Sequence, residues 1–344
     1  QMDLDKNKVG DACEDIDPRH TGGCSAGGTS TGEGWAVPLA LLALLGLMRL
    51  FRRRSAMAAG MLAAVLTLGA ATSQAAPEIP VQAFEPSPFK QDLFMTGKGY
   101  TLGQWNWDVG AMLDYQNDPL VLRYGDEIVR RIVEHQFTAH VFGAVGFTNW
   151  FDLGLVLPVI LFQDGEGTGG LKSPGTAGIG DIRFVPRFRL VRTKNKVFAL
   201  GITPEFTAPT GRLIDPYMGS ASWTFNPWIN MSLDWKRWGL ALDLGYRLVK
   251  DSGFQDVQVD DQLRLKFGAW VGLVPQKLDL IVEVIAATSV DSPFEGNLTP
   301  IEPMGGLRWH ATPCVDVNFG GGAAVTEGIA GPRFRLFAGV PYGC

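Results

Sequence analysis

Long apolar runs are missing from most of this chain. After residue 75 none approaches the ~20 consecutive apolar residues that carry a helix across a bilayer, so helical spans are excluded there. A basic block is missing too: 30 Lys and Arg stand against 35 Asp and Glu, a net charge of −5, which removes the electrostatic footprint of a nucleic-acid partner. Cysteine is scarce; four in 344 residues permit a disulfide without making a disulfide scaffold. His135, His140 and His310 are scattered, with no Cys, His or carboxylate spacing around them that marks a metal site. No serine pairs convincingly with a histidine on a common face, which argues against a lipid hydrolase. The glycine-rich "DGEGTGGLKSPGTAGIGD" has no Walker lysine at the right spacing and reads as a flexible outer loop. With 19% charged residues but 43 Gly, 10 Trp and 20 Phe, the chain is too apolar and glycine-rich for an average soluble α/β enzyme.

What is present, from Gln104 on, is a period of two. In "QWNWDVGAMLDY", Trp105, Trp107, Val109, Ala111, Leu113 and Tyr115 share one face. "FDLGLVLPVIL" turns Phe151, Leu153, Leu155, Leu157, Val159 and Leu161 one way, and "DIRFVPRFRLVR" sets Ile182, Phe184, Phe188 and Leu190 against Arg183, Arg187 and Arg189. Twelve such segments are expected, at roughly 104–115, 128–147, 151–162, 181–192, 197–207, 222–234, 238–249, 261–273, 278–288, 301–310, 315–325 and 333–342. Short turns such as "TNW", "TKNK", "WKR", "VPQK" and "ATPC" alternate with longer loops at 116–127, 163–180, 208–221, 250–260, 289–300 and 326–332. The expected fold is therefore all-β: a transmembrane antiparallel up-and-down β-barrel of about 12 strands over 104–342, with short N-terminal apolar helices before it. A soluble β-sandwich also alternates, but its charged residues should face water. Pro186, Pro204 and Pro227 inside candidate strands are awkward for either fold, because each removes a ladder donor.

The proposed lumen face is charged in both signs. Arg183, Arg187 and Arg189 lie between strands bearing Asp152 and Glu205, and Arg264 and Lys266 face the strand carrying Asp279 and Glu283. Arg333 and Arg335 would meet Asp108 and Asp114 once the barrel closes. Such cross-strand pairs would offset the penalty of placing charge inside a narrow barrel. Twelve strands lie between a barrel filled by its own side chains and one holding a water channel, so an open pore and a salt-bridged plug both remain in play. Trp150, Trp235, Trp238 and Trp309 sit near short turns, where an aromatic girdle belongs. The midpoint of Cys314 and Cys344 is Ile329, within the loop between the last two strands. A symmetric hairpin would bring the two thiols together at the periplasmic rim as a disulfide.

The N-terminal part has a different character. "MRLFRRRSAMAAGMLAAVLTLGAATSQAAPE" is a signal peptide by pattern, spanning 48–75 with cleavage between Ala75 and Ala76. Residues 76–103 then read as a periplasmic lead-in. Ahead of the signal, "DLDKNKVGDACED" spaces Asp3, Asp5, Asn7, Asp11 and Glu14, with the Val9 carbonyl, as oxygen ligands for Ca²⁺. Residues 1–24 resemble a thrombospondin type 3 repeat, with Lys8 where a Gly is usual; an acidic linker without metal is the alternative. Residues 25–54, "SAGGTSTGEGWAVPLALLALLGLMRLFRRR", with Cys24 just before, resemble a MYXO-CTERM anchor, which implies Cys24 as the sorted residue. An anchor ends a protein and a signal begins one. Residues 1 to about 54 are thus expected to close one coding unit, and those from Met48 to open another.

At "FEPSPFKQDLFMTGKGYTLG", "YQNDPLVLR" and "IVEHQFTAHVFGAVGFTNWFDLGLVLPV", residues 80–342 resemble the barrel portion of OmpA-like outer-membrane proteins of myxobacteria. The resemblance implies an outer-membrane location in a Gram-negative bacterium, with membrane lipid and, if the lumen is open, small solutes as partners. Peptidoglycan binding, which those proteins place in a further domain, is not supported by the residues present. The expected function is a structural barrel or a narrow, weakly selective pore and not an enzyme; the alternatives are a lipid-modifying barrel enzyme and a surface-anchored calcium-binding protein.

Overall fold

The structure, a computed structural model, describes residues 81–344 apart from 125–126, 167–172, 212–213, 216, 221, 250–251, 255–256, 260, 295–298 and 327–330. The calcium-type loop, Cys24, the anchor, the signal segment with Ala75 and Ala76, and the apolar helices expected there all lie outside the described residues. Twelve long strands are present: β1 Trp107–Tyr124, β2 Glu127–Gly146, β3 Phe151–Asp164, β4 Ile182–Arg192, β5 Phe198–Ala208 and β6 Thr224–Asp234. There follow β7 Trp238–Arg247, β8 Gln262–Val274, β9 Leu278–Ser289, β10 Ile301–His310, β11 Asp316–Gly322 and β12 Phe334–Gly343. Each pairs antiparallel with the next, and β12 pairs with β1 from Asp108↔Gly343 to Asn117↔Phe334, so the cylinder closes. A two-residue strand, Gly178–Ile179, adds to β3, and a small hairpin, Ser252–Phe254 with Val257–Val259, lies in the loop between β7 and β8.

The period of two becomes an inside and an outside. Val109, Leu155 and Val340 are 45–50% exposed, whereas their alternates Asp114, Asp152 and Glu283 are fully buried. A sandwich would bury that apolar face between two sheets. Here it turns outward around a closed cylinder, the inverse of a water-soluble fold, and the protein is an outer-membrane β-barrel. Trp105, Trp107, Trp150, Trp235, Trp238 and Trp309 are exposed at the short-turn end and mark the membrane boundary there.

Two local departures from the expected pattern have physical causes. The first hairpin is longer than the alternation suggested: β1 and β2 run to Tyr124 and from Glu127, through most of the stretch expected as the loop 116–127. "NDP" reads as a breaker, but a register shift between Asn117 and Leu120 absorbs it. Asp118 sits at φ 51° and pairs with Arg131 at 3.0 Å. The three strand prolines fall in one row, since Pro204 pairs with Pro227 and the β4–β5 register sets Pro186 opposite Pro204. There the β4–β5 ladder is interrupted between Phe184↔Phe206 and Phe188↔Ile202, where Pro186 and Pro204 have no N–H to donate.

Residues Val81–Leu102, part of the stretch read as a periplasmic lead-in, do not lie outside the barrel. They run inside it. Val81 packs with Leu120, Val133 and Tyr217 at the long-loop end. The chain descends to Lys90, whose N–H reaches Asp108 and whose ammonium reaches the carbonyls of Gly343 and Pro313 at the short-turn end. It doubles back through Phe94 and Met95 toward mid-barrel and returns to leave the lumen at Gly103, where φ is +95°. Phe84, Phe89, Leu93, Phe94 and Met95 pack there on Met112, Phe142, Val156, Ile281 and Phe337. Burying each such side chain stabilises the arrangement by about 1.5–3 kcal/mol relative to water, which is why this aperiodic but apolar segment occupies the lumen. The fit is close: a Cβ on Gly99 would lie 2.7 Å from the Ala199 carbonyl.

Candidate functional site: the occupied lumen

The wall charges meet the segment within the barrel as much as one another. Arg183 pairs with Glu205 across β4 and β5 at 2.9 Å, and its other guanidinium nitrogen donates to the Pro86 carbonyl. Arg187 stands opposite Asp152 in register but binds Asp92 of the inner segment, with one Nη1–Oδ1 contact at 3.0 Å. Arg264 and Lys266 do not meet Asp279 and Glu283. In the β8–β9 register they stand opposite Ala287 and Ile285, and both turn to Glu85 of the inner segment, at 2.8 and 3.8 Å. Glu283 instead accepts the N–H groups of Met95 and Thr96, Asp243 that of Gly97, and Asp152 that of Leu102. Asp279 binds His310 at 3.0 Å, and His310 holds Asp316 with its other ring nitrogen at 2.8 Å.

The closing seam differs in the same way. Arg335 grips Asp114 with both oxygens at 2.9 Å and Glu302 at 2.7 Å, tying β12 to β1 and β10. Arg333 does not meet Asp108: it is exposed, lies just before β12 begins, and its N–H reaches the Asn117 carbonyl at the far end of the seam from Asp108. Arg189 is half-buried beside a register shift near the short-turn end of β4. Cys314 and Cys344 form a disulfide with Cα atoms 4.8 Å apart, beside the Val315–Tyr342 bridge at the short-turn rim.

Sequence reasoning missed the inner residues that matter most, Glu85 and Asp92. The available signal was density of apolar side chains: Phe84, Phe89, Leu93, Phe94 and Met95 are too many for a lead-in standing in water. Higher in the barrel, Gln116, Gln136 and Gln163 stand side by side on β1, β2 and β3 and hydrogen-bond in a buried row. Above them Asp181 ties the loop after β5, accepting the N–H groups of Gly211 and Ser220. Burial pushes its carboxyl up to about 6 against the pull of those two donors.

Two voids remain. A cavity of about 450 Å³ opens near the short turns, lined by Lys90, Lys98, Tyr100, Trp270, Arg308 and His310 among others. A second void, of about 30 Å³, lies between the inner segment and β4–β8, which is room for about one water. The larger cavity forms a vestibule at the short-turn mouth.

The model of a family described as "Putative MetA-pathway of phenol degradation" matches residues 121–327, more than half of the chain. Among solved structures, an outer membrane channel from Pseudomonas putida F1 superposes with a TM-score of 0.53 at 14% identity, covering 72% of this chain and 98% of that one. The NanC porin gives 0.44 at 10% identity over 69% of this chain and 98% of its own, and the KdgM porin 0.44 at 10% over 68% and 98%. No curated protein matches the chain significantly. At such identities the likeness to solved structures is one of fold. By the match over 121–327, the chain belongs to the family described as the MetA-pathway of phenol degradation.

Proposed function

We propose that the protein is an outer-membrane channel for small solutes, closed at rest by its own segment Val81–Leu102. The observation that carries this is the chemistry of the wall. A barrel built only as a scaffold could fill its interior with apolar side chains. This one presents Asp108, Asp152, Asp243 and Glu283, each satisfied by a backbone N–H of the inner segment that water could replace, and Arg187 and Arg264, each paired with a carboxylate of that segment. Such a wall tolerates a wet lumen as well as a filled one. The vestibule at the short-turn mouth and the fold shared with the Pseudomonas putida channel support the same reading. A lipid-modifying enzyme is disfavoured because the lumen's polar groups are committed to holding the segment. The resemblance to OmpA-like barrels adds an outer-membrane scaffold role that is compatible with a gated channel.

The test is conductance in planar bilayers. The wild-type chain should give small, infrequent steps, and a variant lacking residues 81–102 should conduct severalfold more, toward the water-filled regime of wider barrels. If both remain sealed, the channel reading fails.

A further inference from the structure

Glu85 is held as a ligand is held. Both oxygens of its carboxylate face the Arg264 fork, at 3.3 and 2.8 Å, in the bidentate geometry that selects planar carboxylates. Lys266 lies 3.8 Å and Arg247 4.0 Å from it. Arg264 and Lys266 are both more than nine-tenths buried, and Trp228 presents its ring face to them at 5.0 and 4.4 Å. The neighbouring wall carboxylate, Glu205, is already taken by Arg183 through two nitrogens and by Asn226. Within 4 Å, Arg264, Lys266 and Arg247 of β7 and β8 thus share one carboxylate, Glu85 of the inner segment, while Asp243 of the wall stands opposite Lys266 in the β7–β8 register. A cation left unpaired in a confined lumen is costly, because burial removes its water. Movement of the segment away from β8 takes that carboxylate from the Arg264 fork, and another anion in its place restores the pairing.

We infer that Arg264, Lys266 and Arg247 form a carboxylate-binding site of the lumen, occupied at rest by Glu85, and that a small solute carboxylate competes for it and frees the inner segment. The inference rests on the channel reading and names the solute class. Exchange of one carboxylate for another leaves the charge balance of the lumen unchanged, and it removes the charge pair that ties the segment to β8.

The test uses the full chain in liposomes, with acetate as the probe and chloride as the control, each at about 0.1 M so that screening is equal. Hydrogen exchange of the Met95, Thr96 and Gly97 amides reports release of the segment whether or not ions flow. Acetate should speed their exchange by about tenfold over chloride, since opening of that segment becomes correspondingly more frequent. Glu85→Gln should exchange fast in chloride already, and Lys266→Gln should lose the acetate response. Arg264→Gln should lose it too, and if that variant does not fold, Lys266→Gln and the wild type decide. Equal exchange of the wild type in acetate and chloride overturns the site. Acetate-specific release without conductance would uphold the site and sink the channel; conductance steps with equal exchange in both salts would do the reverse.

Discussion

At the scale of single residues, the lumen is organised by buried guanidinium groups, some of which serve two partners. Arg335 is the clearest case: fully buried, it neutralises Asp114 on β1 and Glu302 on β10 from its place on β12. Removing it leaves two carboxylates buried without a cation. Arg335→Gln should lower stability by about 3–5 kcal/mol, read as a drop in the urea midpoint in liposomes. A loss under about 1 kcal/mol would mean that water satisfies those oxygens instead. The sequence located Asp114 and Arg335 on one face because alternation is a local property of the strand. It could not locate Glu85, because nothing local says that an aperiodic stretch upstream will face Arg264. Nor could it see that Arg333 stops short of β12, since that depends on where the ladder with Asn117 ends.

At the scale of elements, the strands were legible nearly to their ends and the irregular connections were not. Alternating Leu, Val and Phe announce β3, β4 and β7 without ambiguity. The first hairpin was underestimated because Asn117-Asp118-Pro119 carries the residues of a turn, whereas the ladder resumes past a register shift at Leu120. The last hairpin is tied at its base by Cys314–Cys344, thirty residues apart. Loop-closure entropy assigns that bond about 3–4 kcal/mol. Reduction, or Cys344→Ser, should lower the unfolding midpoint by up to that amount while leaving conductance unchanged, because the β11–β12 ladder and the Val315–Tyr342 bridge persist. A change in step size on reduction would show that the rim itself gates the vestibule.

At the scale of the whole molecule, the decisive fact is closure. The apolar face of every strand points away from the axis, so lipid is its solvent. Leu155→Arg, at an outward position near the middle of β3, should therefore destabilise the barrel by about 2–4 kcal/mol in liposomes. On the surface of a water-soluble sheet the same change would be nearly neutral, and a neutral outcome would contradict the membrane assignment. By itself the sequence determined the all-β class, the number of strands, their two faces and the ends at which short turns and long loops gather. These follow from a period of two and from turn chemistry, which act over a few residues. Only the tertiary structure decided what fills the cylinder and which charges meet. Those outcomes depend on register between distant strands and on a chain segment choosing the lumen over water, and both are settled by the packing of the whole rather than by any neighbour in sequence.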